Sequence, residues 1–435
     1  MTWDSIRQYD QALNGGMDDW HPPLMEWIWS KFIPLRPGPA PMLALQLGLY
    51  AAGHALLIGW AIRAGRYRLG VALGACSLMP LAVALMGVIV KDSLMAGALL
   101  AAGGLMAWCG GRRDWPLRLI AIALIVLAAA FRFNAFLAGV PLLVALLGEG
   151  VRRTPLRLAG TVLAATASLM IAMPIANHLI GAQRSGVELS LVIFDLAGVT
   201  KNTHTDAFPP LGVANPVAVV DGCYRPDKWD SYSFWAADIC PIGFDTVRAY
   251  FAKTHASPWL YWARAVVTHP LAYARHRLAH WNINSRFLVR GEIDRPVLNA
   301  SVDNTWGYQV TRNPFLDGVD RLAVLSTDTP LGWPCFWMAL ALGVLLVAPA
   351  LPSREVVIPL ALSGLLYGLG YGVFSVASEL RYYLWTYIAV ALAAAIAGAD
   401  LVSVHAALTR RQYAVLAAPA LIVAVAGAIW RVLPP

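Results

Sequence analysis

The sequence predicts an all-α polytopic membrane protein, and three observations carry that expectation. Hydrophobic residues fill 58% of its 435 positions and charged residues only 13%, about half the charged share of a soluble domain. Apolar runs of about 17–25 residues, long enough to cross a bilayer, recur along the chain. Basic residues cluster briefly between those runs, so the net charge of +8 reads as orientation in a bilayer. No nucleic-acid-binding motif accompanies that charge, and nucleic acid is not an expected partner.

Ten spans are expected, at 41–62, 69–90, 94–109, 115–131, 133–148, 157–180, 330–350, 356–377, 381–398 and 412–431. One set of loops holds Arg63, Arg66 and Arg68; Arg112, Arg113 and Arg118; Arg152, Arg153 and Arg157; Arg354; and Arg410 with Arg411. The other holds only Lys91, Arg132 and Arg381, with Arg431 near the end. Basic residues in short loops stay in the cytoplasm, so the second set is expected to face out, as in a bacterial inner-membrane protein with its site on the periplasmic side. Residues 1–40 then form an external loop with interfacial helices, 41–181 an N-terminal bundle, 182–328 an external domain of mixed or irregular structure, and 329–435 the C-terminal spans. Nothing in 1–40 serves as a signal or first span, and an eleventh helix ahead of Met1 is expected to be missing from this chain.

The outer segment 182–328 is rich in Trp, Tyr, Asn, Asp and Pro. Within it, WLYWARAVVTHPLAYARHRLAHW (259–281) reads as a helix lying on lipid headgroups, a membrane-lipid contact. Cys223 and Cys240 lie in this segment, and an oxidising compartment predicts a disulfide between them. His276 and His280 have the spacing of zinc ligands on one helical face, but no third ligand is evident nearby. Trp229, Tyr232 and Trp235 can stack on sugar rings, although core packing is the commoner role for such residues. The glycine pairs in AAGGLMAW and GLGYG fit close helix packing better than a phosphate loop.

Chemistry-bearing residues gather at the outer ends of the spans. Lys91-Asp92-Ser93 joins two spans, Arg132 and Asn134 sit in FRFNA, and Glu379, Arg381 and Tyr382 sit in SELRYY. A charge inside hydrocarbon costs about 2.5–3.5 kcal/mol on insertion scales, so each alone is a solvated helix end. Together they can converge, because neighbouring helices in a bundle lie about 10 Å apart. The opening segment adds Asp4, Asp10, Asp18, Asp19 and Glu26, with His21 before a Pro pair that fixes an extended turn.

WDSIRQYDQALNGGMDDWHPPL resembles the first external loop of the GT-C superfamily of integral-membrane glycosyltransferases, in its protein O-mannosyltransferase and aminoarabinose-transferase branches. The resemblance implies a bundle of about ten spans and a polyprenyl-phosphate-linked sugar donor. It implies Asp4 as the catalytic acid/base residue, with Arg7 and Tyr9 in the stretch that follows. Asp92 matches a second outer acid, and Glu379, Arg381 and Tyr382 a late outer turn. Asp19, His21, Lys91, Asp92, Arg132, Asn134, Glu379, Arg381 and Tyr382, with Arg7 and Tyr9, are the expected substrate-binding set.

The chemistry is consistent with those residues. An acceptor hydroxyl or amine loses a proton as it attacks the anomeric carbon, and an ionised carboxylate such as Asp4 can take it. A phosphate leaving group needs cations, which Lys91, Arg132 and Arg381 supply. A metal-free, inverting transfer to a glycan, lipid or protein acceptor is the expected reaction. If a divalent ion takes part, Mg or Mn held by Asp4 and Asp92 is expected. The alternatives are a surface-polysaccharide polymerase or ligase, and a lipid-linked substrate transporter or flippase, the latter expected to place its ionisable groups near the bilayer midplane.

Overall fold

The computed structural model describes residues 1–109, 114–236, 238–290, 301–403 and 410–433. Arg112 and Arg113 lie outside the described residues, as do the side chains of Arg410 and Arg411. With 74% helix and no strand among the described residues, the chain is all-α; in the outer segment expected to be mixed or irregular, helices alternate with long non-helical stretches. The helices, in chain order, are α1 (Trp3–Asn14), α2 (Leu24–Phe32), α3 (Ala40–Arg63), α4 (Tyr67–Cys76), α5 (Pro80–Met86), α6 (Lys91–Trp108), α7 (Trp115–Phe131) and α8 (Phe136–Leu146). There follow α9 (Glu149–Arg152), α10 (Pro155–Met170), α11 (Ala172–Ile180), α12 (Leu189–Thr203), α13 (Pro216–Cys223), α14 (Phe244–Thr254), α15 (Pro258–Thr268) and α16 (Pro270–Asn284). The last are α17 (Pro314–Thr327), α18 (Pro334–Val347), α19 (Arg354–Phe374), α20 (Leu384–Ser403) and α21 (Arg410–Val432).

Each of the ten apolar stretches is helical, but they do not give ten full-length spans. Among the described residues, five helical stretches are long and apolar enough to cross a membrane: Ala40–Arg63, Pro155–Ile180, Arg354–Phe374, Leu380–Ser403 and Gln412–Val432. A sixth results if α4 and α5, bent by 57°, count as one. The others fall short for local reasons. α8 has only 11 residues with Pro141 inside it, α7 has 17, and α6 begins with two charged residues.

The chain divides into two compact units, Met1–Gln183 with Arg295–Leu369 and Leu380–Pro435, and Arg184–Asp294 with Gly370–Glu379. The outer segment expected at 182–328 is thus shared, its last part joining the first unit. There Val302 N–H donates to the Met1 carbonyl at 3.0 Å, and the Met1 amine to Ser301 Oγ at 3.1 Å.

In the first unit, α3 and α6 approach closely because their facing residues are small. A Cβ on Gly53 would come within 2.5 Å of Leu100 Cγ and 2.7 Å of its carbonyl carbon, and one on Gly104 within 2.9 Å of the Gly53 oxygen. This is the small-residue contact that holds apolar helices together where burial from water cannot. At another end of the unit Arg66 pairs with the buried Asp400, whose Oδ2 accepts the Ser353 N–H at 2.7 Å.

In the second unit a buried carboxylate organises the packing. Asp195 on α12 accepts from Trp262 Nε1 at 2.6 Å, meets His276 Nε2 at 3.0 Å and pairs with Arg277 at 2.6 Å. The imidazole of His276 reaches α12 because residue 198 is glycine, where a Cβ would overlap the ring at 2.1 Å. His276 Nδ1 lies 2.8 Å from the Tyr224 hydroxyl, and His280 Nδ1 lies 2.8 Å from the Pro226 carbonyl oxygen. The two histidines therefore serve packing, and no group of three metal-type ligands occurs among the described residues. Cys223 and Cys240 are joined, with Cα atoms 5.8 Å apart. Trp229 and Tyr232 are buried, whereas Trp235 is exposed.

The helix expected over 259–281 is broken in two at Pro270, which lacks an N–H and pushes His269 out of the helical region, to φ −127° and ψ 55°. Overpacking a tight contact costs about 1–3 kcal/mol, so Gly53→Val is expected to lower the melting temperature of the purified protein. Gly48→Ala on the same helix, where a Cβ meets nothing within 4 Å, is expected to leave it unchanged or raised.

Candidate functional site

The first turn of α1 sets the site. Thr2 caps the helix, its hydroxyl accepting the Ser5 N–H while Ser5 Oγ accepts the Thr2 N–H, which fixes the residues just inside the start. Asp4, Gln8 and Gln11 then lie at i, i+4 and i+7, one stripe of the helix. Gln8 and Gln11 are buried and Asp4 is mostly covered. A polar stripe turned inward is the reverse of an ordinary amphipathic helix.

Asp4 Oδ2 receives Arg381 Nη1 at 2.7 Å, and its Oδ1 lies 3.7 Å from His21 Nε2. On the far side of the imidazole, His21 Nδ1 lies 2.8 Å from Lys91 Nζ. Lys91 heads α6, and the next residue, Asp92, is buried and paired with Arg132. The Arg132 guanidinium stands 4.7 Å from the centre of the Tyr382 ring, and that of Arg381 5.7 Å from the same ring. The path from Asp4 through His21, Lys91 and Asp92 to Arg132, Tyr382 and Arg381 is therefore a closed circuit. Neighbouring turns hold α6 in place: Gln46 Nε2 donates to the Met86 and Val88 carbonyls at 2.6 and 2.9 Å, and Ser93 Oγ donates to the Leu85 carbonyl at 2.8 Å.

Burial alone would raise the pKa of Asp4, but Arg381, His21 and Lys91 outweigh it and hold the carboxyl well below the usual range. For His21, burial and then repulsion by Lys91 outweigh attraction by Asp4 and bring the imidazole down to about 3. It is neutral at pH 7, so the charges that keep Asp4 ionised there are those of Arg381 and Lys91. With Lys91 donating to Nδ1, the remaining ring proton sits on Nε2 and faces Asp4.

The structure brings Asp4, His21, Lys91, Asp92, Arg132, Arg381 and Tyr382 together. Asn134 is fully buried beside Arg132 in sequence, with neither side-chain amide atom hydrogen-bonded among the described residues. Other expected residues stand elsewhere. Arg7 pairs with Asp18, and the Asp19 N–H donates to the Gln183 carbonyl at 3.0 Å. Tyr9 is in an aromatic cluster with Trp29, Trp306 and Tyr308, its hydroxyl accepting the Gly38 N–H at 2.9 Å. Glu379 belongs to the second unit. Asp4 and Asp92 are each bound by an arginine, so either would have to leave its partner to hold a divalent ion.

Three residues outside the expected set complete this region. Asp18 accepts from Arg7, from Gln11 Nε2 at 2.9 Å and from the Trp20 N–H at 3.0 Å. Glu26, on α2, is fully buried, and among the described residues neither of its oxygens has a well-formed hydrogen bond. Gln8 lies close enough to favour its ionised form slightly. The i, i+4, i+7 spacing of Asp4, Gln8 and Gln11 is the signal by which the sequence could have shown this stripe. Comparison with known protein families, characterised proteins and solved structures returns no match.

Burial, and then the neighbouring charge of Asp18, push the Glu26 carboxyl up to about 8 from an ordinary 4.5, against smaller pulls from Gln8, Lys91 and Arg7. Between those two values the folded chain keeps a proton that the unfolded chain releases. Stability must fall as pH rises through that window. Melting temperatures of wild type and Glu26→Gln measured from pH 5 to about 8 are expected to diverge, the wild type declining more steeply. Parallel curves would show that Glu26 ionises normally.

Proposed function

We propose that the protein is a membrane glycosyltransferase that moves a sugar from a polyprenyl-phosphate donor to an acceptor on the outer face of the membrane, with Asp4 as the base. The observation that carries this reading is the charge balance around Asp4. Lys91, Arg132 and Arg381 contribute three positive charges, Asp4 and Asp92 two negative ones, and His21 is neutral, so three minus two leaves one positive charge over. A phosphodiester carries a single negative charge and is complementary to that surplus.

In the proposed reaction an acceptor O–H or N–H attacks the anomeric carbon from the face opposite the phosphate. The new glycosidic bond forms, the bond from carbon to phosphate oxygen breaks, the electron pair leaves with the lipid phosphate, and the acceptor proton passes to Asp4. One displacement inverts the anomeric centre. A strongly ionised Asp4 is a weak base, so it takes the proton late, once bonding to the sugar has made the acceptor acidic. Arg381 holds the carboxylate in place. Lys91, whose hydrogen bond is to a neutral imidazole, is the cation readiest to meet the phosphate. The finer architecture proposed with this activity is a GT-C-like bundle of about ten membrane helices, with the site on the periplasmic side of a bacterial inner membrane. The apolar helices, the shorter ones included, and the alternation of basic loops support it.

Incubating the purified protein with polyprenyl-phosphate sugars and candidate acceptors tests the reading. Wild type is expected to form a glycoside of inverted configuration, and Asp4→Asn to lose about 10²–10⁴-fold in rate, the usual range for a positioned base. Undiminished transfer by Asp4→Asn, or movement of the lipid-linked sugar across a membrane with no glycoside formed, would overturn it.

A further inference from the structure

The helix pair α15 and α16 of the second unit is inside out. α16 buries His276, Arg277, His280 and Asn284, all at 6% exposure or less, while Leu271 and Leu278 stand 76% and 62% exposed. α15 buries no residue, and Leu260 and Val267 on it are 74% and 79% exposed. Leu260, Arg264 and Val267 follow one another at intervals of four and three on α15, and Leu271, Arg275 and Leu278 do the same on α16, so the exposed positions form a ridge in two segments, one on each helix.

A helix that faces water keeps its apolar stripe inward, because an exposed Leu or Val side chain forgoes the gain from leaving water. Here the polar groups have their partners inside, Asp195 for His276 and Arg277, and the Pro226 carbonyl for His280. The aliphatic groups are left for the surroundings. From Pro258 to Asn284 there is no acidic residue, and the only charges on the ridge are Arg264 and Arg275. An apolar ridge edged with arginines and free of carboxylates matches the boundary between acyl chains and anionic headgroups.

We propose that α15 and α16 lie in the membrane interface, with Leu260, Val267, Leu271 and Leu278 entering the acyl region and Arg264 and Arg275 meeting anionic headgroups. An amphipathic helix seated in this way sinks about 5–10 Å into the headgroup boundary. This inference does not depend on the proposed reaction, and its test uses no turnover.

The full chain, with Cys76, Cys109 and Cys335 replaced by Ser and the Cys223–Cys240 disulfide kept, is spin-labelled at Leu260→Cys or at Leu278→Cys, and reconstituted in phosphatidylglycerol-containing nanodiscs. Asp221→Cys, on α13, is the water-exposed control. Accessibility to oxygen relative to a water-soluble nickel chelate is expected to be several-fold higher at both ridge sites than at the control. Adding Arg264→Gln and Arg275→Gln is expected to lower that ratio in anionic discs. Two sites on separate helices guard against one label disturbing its own turn. Nickel accessibility equal to the control at both sites would overturn the proposal, as would dipolar broadening that grows with protein per disc and marks the ridge as a contact between copies of the chain.

Discussion

The ion pair between Asp4 and Arg381 is the constraint on which the rest of the site depends. Removing a carboxylate from water is costly, and the cost is recovered only where cations and hydrogen bonds replace the solvent. Arg381 supplies the bond and Lys91 the further charge, with a neutral imidazole between Lys91 and the carboxylate. Positioning those groups requires the turn after α5, the head of α6 and the turn before α20 to meet the first turn of α1. The Gln46 bonds to the Met86 and Val88 carbonyls, the Ser93 bond to Leu85 and the Thr2–Ser5 cap all serve that requirement. The surplus positive charge that makes the site suited to an anion follows from the same arrangement.

Both units place polar groups inside and meet the cost with partners. In the first, Asp4 and Asp92 each have an arginine, and Asp400 has Arg66 and Ser353. In the second, Asp195 gathers Trp262, His276 and Arg277. Each of these carboxylates is answered by a cation from another segment of the chain, so each pair also ties two segments together. Glu26 is the exception, and it is accommodated by keeping its proton. A long apolar surface is compatible with such interiors where the surroundings are lipid rather than water.

Much of this was legible in the sequence. The alternation of apolar runs and basic clusters gave the helices, because hydrophobic length and loop charge are local properties. Lys91, Arg132 and Arg381 stood out as charges at span ends, and the structure joins them with Asp4 and Asp92 in one circuit. What escaped was what depends on distant partners. Tyr9 looked like a ligand residue, but its ring packs with Trp306 and Tyr308, some 300 positions away. His276 and His280 had metal-like spacing, but Asp195 and the Pro226 carbonyl hold them. The length of α8 is set by the turns at its two ends, which hydropathy averages do not register. Glu26 read as one more surface acid, and only its burial between α1 and α2 gives it significance.

A double-substitution cycle on the central ion pair tests the account most directly. Thermal stability is measured for Asp4→Asn, Arg381→Gln and the combination in the full chain. Groups in one charge network couple by about 0.5–3 kcal/mol, so the combined variant is expected to lose markedly less than the sum of the single losses. Strictly additive losses would mean that Asp4 and Arg381 do not meet, and the site built on their meeting would be wrong.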